Sequence, residues 1–236
     1  MLEQARTTGW VTLSPLGGPA TQRKPWASLL ARFFALWVGL HLAGVATAWF
    51  LAWGRPVAAE RVRLIDLSGG AVDARTVLIA ANRPHPERGD FIGHLWVIWP
   101  PGAAGDGRAF GYYADSQVLA AATLALSMVS PAGFLAGSAP VPGGVRSDDG
   151  QPFDAALAVR VAPPAFARAL AVHRRWVGKA VYLNRPPPWG EGAACQDYVM
   201  DVAGALGLPT PVRNWMEFPA TSFRALDRTT TRGELP

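Results

Sequence analysis

Residues 192–209 read GAACQDYVMDVAGALGLP, and in this stretch a loop rich in Pro and Gly becomes a helix. Apolar residues recur at helical spacing: Tyr198, Val199, Val202 and Leu206. Gly207 and Pro209 then end the helical pattern. The stretch predicts a helix whose first turn holds Cys195, the only cysteine among 236 residues.

Cys195 has two interpretations. A free cysteine is often a buried packing residue, because its thiol behaves as a small apolar group. In the first turn of a helix, the positive end of the helix dipole and the unpaired backbone N–H groups favour thiolate over thiol. The same N–H groups can bind an oxyanion. Cys195 is therefore a candidate nucleophile, and a nucleophile needs a base from another part of the chain.

The candidate base is His94, which lies in FIGHLWVIW, residues 91–99, the strongest strand pattern in the chain. The loop PPGAAGDGR (100–108) and the returning run AFGYY (109–113) complete a predicted antiparallel hairpin. A histidine in an apolar strand also fits a core residue with satisfied ring nitrogens. His85, in the loop RPHPERGD, is interpreted as part of a solvated turn.

The other patterns after about residue 60 mix strands and helices. Strands are predicted at 62–67, 76–82, 156–161 and 180–183. Residues 118–129 are apolar all round and predict a buried helix, whereas 163–177 predict an amphipathic helix with His173 at its surface or rim. Residues 130–152 are rich in Gly, Pro and Ser and predict irregular structure. This order predicts an α+β fold class.

Residues 33–53, FFALWVGLHLAGVATAWFLAW, carry no formal charge and predict one transmembrane helix. At 1.5 Å per residue, 21 residues match a hydrocarbon core of about 30 Å. Aromatic residues near the ends support the span: Trp26, Trp49 and Trp53. A cleaved signal peptide is the alternative, but the small-residue site at 46–48 falls inside the apolar run.

The charges beside the span predict its orientation. The tail 1–32 carries four basic residues, Arg6, Arg23, Lys24 and Arg32, against Glu3 alone, which favours a cytoplasmic N-terminus. We therefore expect a single-pass protein of the bacterial inner membrane, with a domain at 60–228 in the periplasm and a C-terminal tail at 229–236. The expected partners are the membrane, through residues 33–53, and a peptide or acyl substrate. The oligomeric state is left open.

Several classes of site find no support in the sequence. The net charge is +5, but no Lys/Arg cluster is interleaved with aromatic residues as on a nucleic-acid surface, so no nucleic-acid partner is expected. The cluster His85, Glu87, Asp90 and His94 matches no metal-ligand motif. No phosphate-binding glycine loop opens a helix, and no serine lies in a G-x-S-x-G turn. We expect neither a metal nor another cofactor.

The order of these motifs resembles that of a known group of proteins. GHLWVIW, a loop, FGYY, a Gly-rich stretch, VRVAPPAFARAL, VYL and ACQDYVMDVAGALGLP together resemble the circularly permuted papain-fold proteins related to NlpC-type peptidases. In that group the histidine strand precedes the cysteine helix, and lecithin retinol acyltransferase-like proteins belong to the same broad group. The resemblance covers about residues 76–226. It implies a permuted papain-like domain, an antiparallel sheet packed on helices, with Cys195 as nucleophile and His94 as base.

The resemblance also implies a third polar residue that orients His94, normally from the strand after the histidine. That strand offers Asp115, Tyr112 or Tyr113, and we assign Asp115. The alternative is that Asp115 caps the following helix. The chain departs from the pattern of many relatives by having Ala194 in place of Asn and Tyr198 in place of Phe.

Two functions follow as expectations. The first is a membrane-anchored thiol hydrolase or acyltransferase that acts on an amide, ester or thioester through a Cys195 acyl intermediate. Its substrate would be a cell-wall peptide or, because the site is near the bilayer, a lipid acyl chain. The second is a binding or assembly module of the envelope without turnover, in which Cys195 is a packing residue and His94 a core residue.

Overall fold

The computed structural model describes residues 25–58, 60–105, 108–128, 131–187, 190–212 and 217–231. Within these ranges the chain forms six α-helices: α1 Pro25–Trp53, α2 Gln117–Met128, α3 Pro131–Ala136, α4 Pro163–Val177, α5 Cys195–Leu206 and α6 Pro219–Thr231. It also forms seven strands: β1 Val62–Leu67, β2 Arg75–Asn82, β3 His94–Ile98, β4 Ala109–Ala114, β5 Val141–Ser147, β6 Ala155–Val161 and β7 Val181–Tyr182. The predicted α+β class is confirmed.

The strands form one mixed sheet in the order β1-β6-β2-β3-β4-β5-β7. The expected antiparallel sheet needs one correction, because β1 pairs in parallel with β6, while the other pairs are antiparallel. The chain reverses between β1 and β2, and β6 inserts between these two strands. Since β6 runs antiparallel to β2, it must run parallel to β1. The predicted hairpin that carries His94 is present as β3 and β4.

The main core lies between the sheet and helices α4, α5 and α6. Leu95 and Val97 of β3 and Val199 and Val202 of α5 are fully buried there. Burying side chains of this size contributes about 1.5–3 kcal/mol each, so this packing fixes α5 on the sheet. Cys195, the first residue of α5, is thereby held in one position.

His173 lies in this core and not at the surface or rim that the sequence suggested. It is 3% exposed, and its Nδ1 lies 2.8 Å from the hydroxyl of Tyr198 on α5. Burial, followed by the nearby Arg174, lowers the pKa of His173 to about 4. The ring is therefore a neutral packing group whose polar atom has a partner.

The region 130–152 is more regular than its composition predicts, since it contains α3 and β5. Gly143 of β5 shows why glycine is used in this strand. A Cβ at Gly143 would meet the carbonyl oxygen of Tyr113 at 2.5 Å and the Cβ of Tyr182 at 2.6 Å. The glycine permits close approach between chain segments, a role that a strand can require and that composition alone does not reveal.

Helix α2 is apolar as predicted, but the prediction that it is buried is wrong. Among its described side chains, Ala120 and Ser127 are buried, whereas Val118 is 81% exposed and Leu126 68% exposed. Leu135 of α3 is also exposed. An apolar face is left without a protein cover in the part of the chain that the structure describes.

Helix α1 is long and apolar enough over Trp26–Trp53 to cross a membrane, as the sequence predicts. It begins at Pro25, so residues 25–32 of the predicted tail are helical, and residues 1–24 lie outside the described residues. At the other terminus, residues 229–231 of the predicted tail belong to α6, and 232–236 lie outside the described residues.

The end of α1 is bound to the domain by Arg224 of α6. The Arg224 guanidinium donates to the carbonyl oxygen of Leu51 at 2.9 Å, to that of Pro56 at 3.1 Å and to that of Arg55 at 3.3 Å. A cation at the C-terminus of a helix is favourable, because the last carbonyls lack helical partners and carry partial negative charge. This contact sets the position of the domain relative to α1.

Candidate active site

The structure brings the candidate nucleophile and the candidate base together. Cys195 is the first residue of α5, and His94 is the first residue of β3. Both line the same cleft, and Cys195 is near enough to His94 to raise the pKa of its ring. Cys195 is 7% exposed, and the side chain of His94 is 15% exposed. Both side chains are therefore sheltered from bulk water, which strengthens the electrostatic interaction between them.

The backbone at the start of α5 positions Cys195. Ala194 has extended φ and ψ angles of −123° and 178°, and its N–H donates to the carboxylate of Asp197 at 2.9 Å. This is the half of a capping box in which the third helical residue reaches back to the residue before the helix. Gly192 lies against the same carboxylate, where a Cβ would overlap it. The Pro- and Gly-rich loop is thus fixed where it meets α5.

A third residue, Asp148, completes the arrangement. Its Oδ2 lies 3.2 Å from Nε2 of His94, and its side chain is 1% exposed. Tyr113 donates its hydroxyl hydrogen to Oδ1 of the same carboxylate. The backbone N–H of Asp148 donates to the carbonyl oxygen of Ala109 at 2.8 Å. Asp148 is held from several sides, and it fixes the orientation of the imidazole as an orienting carboxylate does in a catalytic triad.

These contacts set the protonation state of His94. Burial is the largest single influence and disfavours the charged ring, but hydrogen bonds and charge attraction from Asp148 and Cys195 outweigh it and raise the pKa of His94 to about 9. Burial, and then the neighbouring Asp148 carboxylate, raise the pKa of Tyr113, so its hydroxyl stays protonated as a donor. The raised pKa makes the ring of His94 a strong proton acceptor at neutral pH.

Gly111 of β4 pairs with Trp96 of β3, and because it has no side chain it leaves space for the site. A Cβ at Gly111 would overlap Nε2 of His94 and Oδ2 of Asp148. The ring of His94 also stacks on the ring of Tyr113 at a centroid distance of 4.4 Å and on that of Trp96 at 5.6 Å. Only glycine fits at position 111 while this pair keeps its geometry.

The structure does not bring Asp115 to His94. Its side chain is 57% exposed and accepts a hydrogen bond from Nη2 of Arg146 at 2.7 Å. Asp115 does not cap α2 either. That role belongs to Ser116, whose Oγ accepts a hydrogen bond from the N–H of Leu119 at 3.2 Å. Asp148 therefore occupies the place beside the imidazole that the sequence assigned to Asp115.

The two tyrosines that were alternatives to Asp115 have different positions. The hydroxyl of Tyr112 donates to the carbonyl oxygen of Val181 at 2.7 Å, which ties β4 to β7. Tyr113 faces His94 and reaches the site through Asp148. Tyr113 is therefore a member of the site in the role of a partner to the orienting carboxylate.

Asp148 was missed because β5 was not predicted. The sequence signal was SDDG at 147–150, in which two acidic residues precede a turn glycine at φ +82°. The neighbouring Asp149 has different partners, because its carboxylate accepts from the N–H groups of Arg108 and Ala109 and not from His94. Without the β4 and β5 pairing, the sequence does not distinguish the two carboxylates.

A cleft of about 870 Å³ opens onto Cys195 and His94. Its apolar lining includes Val45 of α1, Phe91 and Ile92 of the loop before β3, and residues of α2. Gln196 borders the thiol, and its side-chain nitrogen is fixed by the carbonyl oxygen of Glu217 at 2.6 Å and by Oγ of Ser222 at 3.2 Å. A carbonyl compound with an apolar substituent can therefore place its reactive carbon at the thiol.

His85 lines this cleft, whereas its loop was interpreted from the sequence as a solvated turn. It is 9% exposed, with Nδ1 2.8 Å from Glu87 and Nε2 2.9 Å from Asp154. Burial opposes its charge, but the two carboxylates outweigh that effect and raise the pKa of His85. No group of three or more His, Cys, Asp or Glu residues is placed to hold a metal ion in the part of the chain that the structure describes.

Comparisons of the chain with protein-family models, curated proteins and solved structures found no match. The chain is therefore assigned to no family. Its function is inferred from the geometry of the Cys195, His94 and Asp148 site and from the cleft that leads to it.

Proposed function

We propose that this protein is a membrane-anchored thiol hydrolase or acyltransferase with Cys195 as nucleophile. His94 serves as general base and acid, and Asp148 orients its ring. The observation that carries the proposal is that Cys195 and His94 line one large cleft, with the ring of His94 held by the buried Asp148. A packing cysteine needs no such partners.

The reaction proceeds in two halves. With Nε2 bonded to Asp148, Nδ1 of His94 takes the proton of Cys195, and the sulfur attacks the carbonyl carbon of an amide, ester or thioester. Backbone N–H groups at the start of α5 stabilise the oxyanion that forms. The imidazolium returns its proton to the departing amine, alcohol or thiol, which leaves an acyl thioester on Cys195. Water or an acceptor hydroxyl then attacks, gives its proton to His94 and releases the thiolate.

The proposal extends to the fold and location that the sequence suggested. The histidine strand β3 precedes the cysteine helix α5 in the chain, which agrees with a circularly permuted, NlpC-like papain domain. We place α1 across the bacterial inner membrane, with the N-terminal tail in the cytoplasm and the domain in the periplasm. The charge bias of the tail supports this orientation. A reporter fused after Pro236 tests it, and activity of that reporter in the cytoplasm alone overturns it.

Alkylation of Cys195 tests the chemistry without knowledge of the substrate. Iodoacetamide should modify the native full chain in detergent micelles near pH 7, because Cys195 lines an open cleft beside His94, which can accept the thiol proton. His94→Ala and Asp148→Asn should slow the modification at least ten-fold, and Asp149→Asn is the matched control that should not. Cys195→Ser shows the background, since the chain has no other thiol.

The contrary result leads to the second function. If His94→Ala leaves alkylation unchanged, or if the native protein reacts only after unfolding, the thiol is a packing group. A non-catalytic envelope binding or assembly module then becomes the better proposal. The absence of an oxygen in the side chain of Ala194, at the position before the cysteine helix, is the observation that favours this alternative.

A further inference from the structure

One wall of the cleft is formed by helix α2. Helix α2 contains no charged residue, and much of its apolar surface is exposed, including Val118, Leu119 and Leu126. Four of its apolar side chains line the cleft: Val118, Ala121, Leu124 and Met128. An apolar surface of this kind on a folded protein marks a place of contact with a partner or a membrane.

This wall is held in position by a buried charge. Arg185, 1% exposed, donates to Oγ of Ser127 at 3.2 Å, to the carbonyl oxygen of Ser127 at 3.3 Å and to that of Gly133 at 2.7 Å. These bonds tie the end of α2 and the start of α3 to the loop before α5. The exposed apolar face therefore belongs to the folded domain and is not a loosely attached segment.

The apolar wall is continuous with the span helix α1. The indole N–H of Trp49 donates to the carbonyl oxygen of Phe91 at 2.7 Å, and the side chains of Phe91 and Ile92 are 61% and 43% exposed. Val45 of α1 lines the same cleft as His94 and Cys195. The cleft is thus bordered by α1, by the loop 91–92 and by α2.

With α1 across the membrane, as proposed above, Val45 lies at the depth of the hydrocarbon. Trp49 and Trp53 stack at a centroid distance of 5.5 Å near the end of α1, and tryptophans favour the membrane interface. Val45 precedes Trp49 by one helical turn, about 6 Å further into the bilayer at 1.5 Å per residue. A molecule can therefore pass from the hydrocarbon to the thiol along apolar side chains.

We infer that the substrate of Cys195 is an acyl lipid, which enters the cleft from the bilayer between α1, the loop 91–92 and α2. The acyl chain lies along Val118, Leu124 and Met128, and its carbonyl carbon reaches Cys195 at the inner end. A volume of about 870 Å³ is within the range of sites that bind small organic ligands. The chemistry in this inference rests on the proposed thiol function, and the contact with lipid rests on the proposed membrane placement of α1.

The first experiment tests the lipid contact alone. A bimane fluorophore is attached to Val118→Cys or to Val72→Cys, each in the Cys195→Ser background of the full chain. The protein is reconstituted in phosphatidylethanolamine and phosphatidylglycerol vesicles that contain lipids spin-labelled in the acyl chain. Val72 is fully exposed and does not line the cleft, so it is the matched control. We expect at least three-fold stronger quenching at position 118, and equal weak quenching at both positions overturns the inference.

The second experiment tests the substrate class. Acetyl and palmitoyl thioesters of one leaving thiol are compared on the full chain in the same vesicles without spin label, and acyl transfer to Cys195 is followed by intact mass. We expect the palmitoyl compound to react at least ten-fold faster. Val118→Glu should remove this preference, while Val72→Glu should keep it. Thermal unfolding shows whether both variants retain the fold.

The outcomes separate the two proposals. Acyl transfer from both thioesters without a chain-length preference overturns the lipid substrate and leaves the thiol chemistry intact. Strong quenching at position 118 without any acyl transfer overturns the thiol chemistry and leaves the lipid contact intact. A protein partner that covers α2 instead of lipid would give weak quenching, which is also a contrary result.

Discussion

At the scale of single residues, some members of the site leave a pattern in the sequence and others do not. Cys195 and His94 were predictable, because a helix start and an apolar strand each leave a pattern of several residues. Asp148 was not, because its role depends on the pairing of β5 with β4. A single acidic residue carries no pattern of its own, so the resemblance to the permuted papain-fold group led to Asp115, directly after β4, instead.

The charge of His94 leads to a prediction about titration. Its pKa of about 9 depends on Asp148 and Cys195, so Asp148→Asn removes an adjacent negative charge and should lower the midpoint by about 1–2 units. Histidine-selective NMR of the full chain in micelles measures this midpoint from the ring carbon shift. Asp149→Asn should leave it in place, and a midpoint near 6.5 in the unmodified protein would contradict the site geometry.

Gly111 gives a prediction about space. Gly111→Ala places a methyl group on the atoms that join His94 to Asp148, so the pair must separate. We expect alkylation of Cys195 to slow about as much as in His94→Ala, while the circular dichroism spectrum stays the same. Gly144→Ala is the control, since its Cβ would meet Lys179 O at an ordinary 3.8 Å. Equal alkylation rates in the two variants would show that position 111 tolerates a side chain.

At the scale of elements, helix α2 shows what composition can and cannot predict. Its apolar residues predict a helix at the correct place, because length and hydrophobicity are local properties. Burial depends on the neighbours that reach the helix, and here α2 is attached through Arg185 and leaves Val118 and Leu126 exposed. Strand β5 is the converse case, because Gly143 and Gly144 resemble a loop until β4 lies beside them.

Arg185 supplies a prediction for the hairpin of α2 and α3. Arg185→Met removes bonds to the carbonyl oxygens of Ser127 and Gly133, and a buried hydrogen bond to a charged group contributes about 1.5–3 kcal/mol. Hydrogen exchange of the full chain should lose protection mainly in 117–136. Arg146→Met, which breaks an exposed ion pair with Asp115, should change little. Loss of protection spread evenly over the sheet would mean that Arg185 supports the whole domain.

At the scale of the whole molecule, the long apolar helix α1 was the easiest feature to predict and the placement of the domain the hardest. The span follows from length and hydropathy alone. The contact of Arg224 with the end of α1 joins residues far apart in the chain, and α6 was not predicted at all. The burial of His173 was also not predicted. The sequence placed it at the helix surface or rim, whereas in the structure α5 packs against it through Tyr198.

The buried histidines predict how stability changes with pH. His173 has its pKa lowered to about 4, so unfolding is favoured as the pH falls from about 6.5 toward 4, where the unfolded chain binds a proton that the native core excludes. His94 has its pKa raised to about 9, so its contribution is present below pH 6.5 and is lost as the pH rises through 9.

Denaturant unfolding of the full chain in micelles, from pH 4 to pH 9.5, measures both effects. His173→Gln, which keeps a hydrogen-bonding side chain without a titrating ring, should flatten the acid side. His94→Gln should flatten the alkaline side. A stability curve that is unchanged in both variants would contradict the burial of these rings.

The bonds from Arg224 to the end of α1 have a consequence for kinetics. A domain on a flexible tether samples a volume, but with the function and membrane placement proposed above this domain is bound to the end of α1 and meets only what diffuses past it in one leaflet. Its turnover should therefore follow the mole fraction of substrate in that leaflet and not the bulk concentration. Adding inert lipid at constant total substrate should slow the proposed acyl transfer by surface dilution, and substrate in a neighbouring vesicle should remain untouched.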